Sequence, residues 1–399
     1  MTPERAVIVG ASHAGAQLAA NLRREGWSGE VVLIGDEGGL PYHRPPLSKG
    51  YLAGKNGLDD LLIRGADFYE KQHIRLLNAT VEAIHRSAKR VSLSTGDTLT
   101  YTKLALCTGA RARRLPTPGV DLPGIHYLRT AADVELIRAA ATPGRRVVIV
   151  GGGYIGLETA ASLCSLGMNV TVLEATERVL ERVTAPEVSA FYTRIHRGEG
   201  VEIRTHALVE AFSGNGGVQE VVLADGESIP ADLVIVGVGV VPNTELASAA
   251  GLSVDNGIVI DDQARTSDPD IVAAGDGRSH TMARYGSRIR LESVSSAGEQ
   301  AKIAAATICG KHSAIAALPW FWSDQYDLKL QIAGLNAGYD ELLLSGDPSR
   351  DRDFSCFYFR EGELIAADCV NRPRDFMSSK RAISQQLRVD RSELLAGSI

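Results

Sequence analysis

Val147–Glu174 reads VVIVGGGYIGLETAASLCSLGMNVTVLE, and it decides the fold. Four apolar β-formers, Val147–Val150, run into Gly151, Gly153 and Gly156 in G-x-G-x-x-G spacing. Ile155, Leu157, Ala160, Ala161, Leu163 and Leu166 then supply the apolar face of a helix, which Gly167 ends. A second apolar strand begins at Val170, with Glu174 at its end. Strand, glycine turn, helix, strand and acid in this order form the fingerprint of a dinucleotide-binding fold. Gly151 permits the tight turn, Gly153 lets backbone approach a pyrophosphate, and Gly156 lets helix and strand pack closely. The anion is expected on the free N–H groups of the helix N-terminus. A carboxylate at Glu174 bonds ribose hydroxyls and repels a 2′-phosphate, which points to NADH rather than NADPH; Arg178 and Arg182 close behind pull the other way. A glycine-rich turn without ligand is the bland reading, and the complete strand–helix–strand context argues against it.

The N-terminus repeats the pattern. Ala6–Val9 reads as a strand, Gly10-Ala-Ser-His-Ala-Gly15 as a turn, Ala16–Arg24 as a helix and Val31–Ile34 as a second strand leading to Asp36. Gly10, Ala14 and Gly15 stand at the phosphate turn, but Ser12 replaces the middle glycine. Two dinucleotide folds imply two dinucleotides, and the usual pair is FAD with a nicotinamide cofactor, because a flavin needs an electron source.

Composition bounds the rest. A chain of 399 residues has room for two or three domains. Its formal net charge of −6 argues against a general nucleic-acid binder, and no apolar run reaches the roughly 18 residues of a membrane span. Because a strand starts by Ala6, no signal peptide is expected. The five cysteines form no CxxC or CxxxxC pair, so reduced thiols in a cytoplasmic protein are expected. No metal site is expected.

Between the two folds lies Pro41–Lys49, PYHRPPLSK, whose three prolines predict a stiff extended loop presenting Arg44 and Lys49. Leu233–Val236 predicts a strand running into Gly237-Val-Gly-Val-Val-Pro-Asn243, with Gly237 a cofactor candidate. Ile271–Ala274 delivers Gly275-Asp276, and a helix follows from about Ser295 to Ile308. Beyond Ala317, PWFWSDQY is followed by short β-like runs and a helical tail from about Pro373, together a small α+β domain. The expected class is therefore α/β: two Rossmann-like dinucleotide-binding domains plus a C-terminal α+β domain.

GASHAG, RPPLSK, CTGA, VVIVGGGYIGLE, VGVGVVPN, AAGD and PWFWSDQY, in this order, resemble the NADH-dependent ferredoxin reductases of oxygenase systems. The resemblance covers almost the whole chain. It implies a discontinuous FAD domain (1–111 and 241–317), an NAD domain (112–240) and a C-terminal domain (318–399). It places Gly10, Ser12 and Gly15 on the FAD pyrophosphate, Asp36 on the adenosine ribose and Asp276 on the ribityl chain. Arg44, Lys49, Val81 and Arg129 are its further FAD contacts, and Val294 opens the helix facing the isoalloxazine. Lys49, Glu158 and Trp320 match the catalytic lysine, the acid beside the nicotinamide and the aromatic residue at the flavin edge. Since a buried carboxylate and ammonium each cost several kcal/mol unless paired, Lys49 and Glu158 are expected to face each other. The implied chemistry takes two electrons from NADH onto the flavin and releases them singly to a [2Fe–2S] ferredoxin. The oxygenase it feeds is a haem-thiolate monooxygenase or a Rieske dioxygenase. Lys302, Arg372, Arg374, Lys380 and Arg381 are candidates for docking that partner.

Disulfide reductases, NADH oxidases and peroxidases need cysteine beside the flavin, and Leu40–Leu52 contains none. A rubredoxin reductase shares most of the motifs. An apoptosis-inducing-factor-like signalling protein shares both folds but adds targeting segments and a basic surface, which suits this acidic chain poorly.

The carboxylate at Glu174 predicts at least a tenfold preference for NADH over NADPH in kcat/KM, about 1.4 kcal/mol. Steady-state kinetics with both cofactors should show it, and Glu174→Ala should narrow the gap. Equal efficiency in the unmodified protein would give the ribose site to Arg178 or Arg182.

Overall fold

The computed structural model describes residues 4–396. Its backbone gathers into two compact units. One runs to His43 and resumes at Leu61–Arg111 and Val241–Pro319; the other comprises Arg44–Asp60, Ala112–Val240 and the chain from Trp320.

In the first unit the apolar run Arg5–Val9 is the middle strand of a five-stranded parallel sheet. Glu30–Gly35 and Ile74–Asn78 lie on one side of it, and Lys103–Leu106 and Ile271–Ala273 on the other. Both faces are covered, so these strands read as unbroken apolar runs rather than alternating ones. Val7, Ile8, Val32, Leu33, Leu104 and Ala105 have no exposed surface. The helices His13–Glu25 and Val294–Ile308 pack against each other. Gly26 ends the first of them in the left-handed region, at φ 97°.

The second unit repeats this plan around Arg146–Val150. Asn169–Leu173 and Glu202–Arg204 flank it on one side, Leu233–Val236 and Ile125–Tyr127 on the other, all parallel. Each glycine helix begins earlier than the sequence pattern indicates, at His13 and Tyr154, because first-turn residues need no apolar face. The same unit carries a five-stranded antiparallel sheet in the order Trp320–Gln325, Leu328–Gly334, Glu363–Val370, Phe354–Arg360, Glu341–Ser345. Helix Pro373–Gln385 buries Phe376, Ala382 and Ile383 against it. Its proline sits in the first turn, where no N–H is required. Among the described residues no helix is long and apolar enough to cross a membrane.

One expectation is corrected. Pro41–Lys49 is not extended throughout: Pro45–Ser48 forms a 3₁₀ turn with Pro45 and Pro46 at its start. The fixed φ of proline near −65° suits that turn as well as it suits extended chain, and the missing N–H groups fall where the turn has no use for them.

Within the second unit Asp368, 1% exposed, links the C-terminal sheet to the start of helix Pro186–Gly198. It accepts hydrogen bonds from Tyr358 Oη at 2.6 Å and Thr184 Oγ1 at 2.5 Å. Burial nevertheless outweighs both donors and raises its pKa to about 6. A folded pKa above the unfolded value of about 3.9 means that the protonated form favours folding. That contribution is complete below about pH 4 and is lost as pH rises through 6. Asp368→Asn should therefore melt a few degrees above the parent at pH 8, a difference of about 2–3 kcal/mol, and converge with it at pH 4. Calorimetry at the two pH values checks this; a loss of stability in Asp368→Asn that is larger at pH 8 than at pH 4 would show that the charged form is favoured.

Candidate active site

Both phosphate turns are built on glycines that nothing else can replace. Gly10 has φ 107°, and a Cβ there would lie 2.1 Å from the Cys107 carbonyl oxygen; one on Gly15 would lie 1.9 Å from that of Gly10. In the second unit Gly151 has φ 112°, and a Cβ would meet the Gly237 carbonyl oxygen at 2.4 Å; one on Gly156 would meet that of Gly151 at 2.1 Å. The middle positions differ. Gly153 is extended (φ −78°, ψ 179°) with open space where a Cβ would stand, and Ser12 is also extended (φ −124°, ψ −155°). Ser12 thus carries no conformational cost, and its departure from the fingerprint leaves the turn intact. Ala14 packs beneath Gly275, whose Cβ would stand 3.0 Å away. Gly237 has ordinary clearance.

Neither glycine helix has a side-chain cap or an acidic residue in its first turn. Their N-terminal partial charges are left uncompensated, which fits an anionic pyrophosphate. In the first unit Asp36 follows the strand Glu30–Gly35. Asp276 stands on the turn after Ile271–Ala273, where the Gly275 N–H is fixed by Gln300 Oε1 at 2.7 Å. Val81 opens a short antiparallel strand with its side chain in the core, and Val294 opens its helix directly after the cap Ser293. These residues fit an FAD: glycine cradle, free helix amides and two carboxylates.

In the second unit Glu174 is half-buried and already oriented. Its Oε2 accepts from the Gly152 N–H at 2.8 Å and its Oε1 from the Thr176 N–H at 2.9 Å. Arg178 is committed elsewhere, donating to the carbonyl oxygens of Thr184 and Glu181 and to Ser189 Oγ. That leaves it unsuited to a 2′-phosphate. Arg182 is exposed.

The same unit brings Lys49 and Glu158 together. The 3₁₀ turn Pro45–Ser48 packs on the glycine helix Tyr154–Ser165, where Ser162 Oγ donates to the Ser48 carbonyl at 2.7 Å. Glu158 lies on the buried side of that helix, 4% exposed. Lys49 Nζ is 2.8 Å from its Oε2 and 3.1 Å from the Pro45 carbonyl oxygen. Ser48 Oγ donates to Oε2 and Ser323 Oγ to Oε1, both at 2.6 Å. A desolvated carboxylate is tolerated only with such partners. Ser48 and Ser323 are partners of Glu158 that the sequence reading missed. Ser48 was visible as the neighbour of Lys49, and Ser323 only as a polar residue within an aromatic strand.

Arg44 Nη1 donates to the Arg129 carbonyl at 2.7 Å, just ahead of the capping box Thr130–Asp133. Trp320 stacks on Trp322 at 5.5 Å, with Lys380 Nζ 4.6 Å from its ring centroid. Two of the five docking candidates are therefore engaged within the C-terminal domain. Lys380 lies over Trp320, and Arg372 bonds Asp353 at 2.9 Å and Ser345 Oγ at 3.0 Å. Lys302, Arg374 and Arg381 are exposed. Among the described residues no cluster of His, Cys, Asp and Glu fits a metal ion, and all five cysteines are free.

Known proteins match this arrangement along its length. Residues 4–301 match the family described as pyridine nucleotide-disulphide oxidoreductase, and residues 320–398 match the reductase C-terminal domain. Putidaredoxin reductase of Pseudomonas putida is 47% identical over 97% of this chain and 93% of its own. A ferredoxin–NAD(P)⁺ reductase of a Sphingomonas species is 45% identical over 96% and 94%. The crystal structure of the covalent putidaredoxin reductase–putidaredoxin complex superposes with a TM-score of 0.95 at 45% identity, covering 99% of both chains. Two dinucleotide-binding folds, a Reductase C-terminal domain and these relatives place the chain in the pyridine nucleotide-disulphide oxidoreductase family, among its ferredoxin reductases.

Proposed function

We propose that this chain is the cytoplasmic reductase component of an oxygenase system, carrying electrons from NADH to a [2Fe–2S] ferredoxin. The observation that carries this reading is the pair Lys49–Glu158, formed between the glycine helix and a turn without cysteine. A disulfide reductase of the same family passes electrons through thiols. Here the corresponding stretch offers an ammonium and a serine, and all five cysteines lie elsewhere. Electrons must therefore leave to an external carrier.

FAD, when bound, supplies the step from two-electron to one-electron transfer. The chain supplies position and charge. Gly10, Ser12, Ala14 and Gly15 with the first glycine helix receive the FAD pyrophosphate, Asp36 its adenosine ribose and Asp276 its ribityl hydroxyls. Gly151, Gly153 and Gly156 receive the NADH pyrophosphate, and Glu174, held open by Gly152 and Thr176, receives its ribose. Lys49 and Glu158 serve the nicotinamide end: the carboxylate fixes the ammonium, and the pair is nearly neutral, so neither charge stands alone in a dry site. Arg44, Val81, Arg129 and Val294 complete the FAD contacts, and Trp320 offers an aromatic surface at the flavin edge.

Purified protein should be yellow, with about one FAD per chain, and NADH should reduce a panel of [2Fe–2S] ferredoxins faster than any rubredoxin. The opposite order would move the chain to the rubredoxin reductases, and a colourless protein without FAD affinity would remove the reading altogether.

Ferredoxins are acidic as a class and this chain carries a formal net charge of −6, so docking requires a local basic surface. Lys302, exposed on helix Val294–Ile308, is the first candidate. Lys302→Glu should slow ferredoxin reduction several-fold and flatten its salt dependence, while NADH–ferricyanide activity stays nearly unchanged. Equal loss of both activities would make Lys302 structural, and no loss of either would put the docking face elsewhere.

A further inference from the structure

Along the strand Trp320–Gln325 alternate residues face the same way, and Ser323 and Gln325 are both buried, at 0% and 1% exposure. Polar side chains in such a position need partners, and theirs form a single line. Ser323 Oγ lies 2.6 Å from Glu158 Oε1. Gln325 Nε2 lies 3.1 Å from Ser323 Oγ, and Gln325 Oε1 lies 2.8 Å from His196 Nε2. His196, fully buried on helix Pro186–Gly198, meets Tyr326 Oη through Nδ1 at 3.2 Å.

The direction of every bond follows from the carboxylate end. A carboxylate only accepts, so Ser323 gives it the hydroxyl proton and must accept from Gln325. That orients the amide, whose oxygen then accepts from His196 Nε2–H, and Nδ1 is left to accept from Tyr326. Burial lowers the pKa of His196 to about 4, so the neutral imidazole has the one donor and one acceptor that the line requires. Tyr326 closes the line from an unusual backbone position: its φ of 55° is uncommon for a bulky residue. Donors aligned head to tail strengthen one another.

We propose that Ser323 is a positioning residue for Glu158, and that Gln325, His196 and Tyr326 form the buttress that aims its hydroxyl. Ser323 holds Oε1 while Ser48 and Lys49 occupy Oε2, so the carboxylate cannot turn without breaking bonds on both sides. The Lys49 ammonium is thereby fixed as well. The inference rests on the reading of Lys49 and Glu158 as the nicotinamide-end pair.

A double-mutant cycle on the FAD-loaded protein tests it, with ferricyanide as acceptor. Ser323→Ala should lower kcat about tenfold with less than a twofold change in the KM for NADH, while FAD content stays that of the parent. In a Glu158→Gln background, itself slowed, the same change should cost less than twofold, because Ser323 acts through the carboxylate. Additive losses in the two backgrounds would overturn the proposal. If Ser323→Ala does not fold, Ser323→Cys, close in volume but a weak donor, should give a smaller loss with the same non-additivity, and additivity there would overturn it equally. Full activity in Glu158→Gln alone would overturn the nicotinamide-end reading and this inference with it. Activity lost in Glu158→Gln but kept in Ser323→Ala would overturn only the positioning role.

Discussion

In each dinucleotide fold a backbone carbonyl occupies the space where a side chain would begin. The Gly10 carbonyl sits under Gly15, and the Gly151 carbonyl sits under Gly156. Helix and strand can approach this closely only because Cβ is missing, and the approach brings the helix N-terminus to the strand end. Free amides, an uncompensated partial positive charge and the placing of the acid beyond the second strand all depend on it. Neither contact tolerates even alanine without moving backbone. The two parallel sheets are therefore copies of one constraint more than copies of one sequence, which is why Ser12 can stand where the second copy has Gly153.

Glu158 depends on a different kind of constraint. A carboxylate that is 4% exposed is costly, and its partners come from two stretches of chain distant from its own helix: Ser48 and Lys49 on the proline turn, and Ser323 on the C-terminal sheet. The Arg146–Asp232 pair shows the contrast. It is equally short, at 2.6 Å, but partly exposed, and it holds strand ends in register with less at stake.

Most of the parallel architecture was legible because its strands are unbroken apolar runs and its turns are marked by glycine. Leu233–Val236 has the same limits in sequence and structure. The site was legible where a residue sits inside a motif, as Glu158 does one residue after Leu157 in GGGYIGLE. It was not legible where function comes from burial. Nothing local distinguishes Ser323 and Gln325 from surface polar residues in a strand, and only the fold places them against Glu158 and His196. Pro45 and Pro46 misled for a related reason, since proline restricts φ without choosing between an extended chain and a 3₁₀ turn. Arg372 and Lys380 looked like free surface charge because their partners, Asp353 and Trp320, lie far away in sequence.

The edge strand of the first parallel sheet has a consequence for the newborn chain. Ile271 pairs with Leu104, so that sheet waits for a strand made long after its other four. The second parallel sheet draws all its strands from residues between Ile125 and Val236 and is complete before the missing edge exists. Order of synthesis thus allows the second sheet to close before the first, against the usual N-terminal-first order. Until Ile271–Ala273 has been made, Lys103–Leu106 has no strand to pair with on that side and stands as a sheet edge.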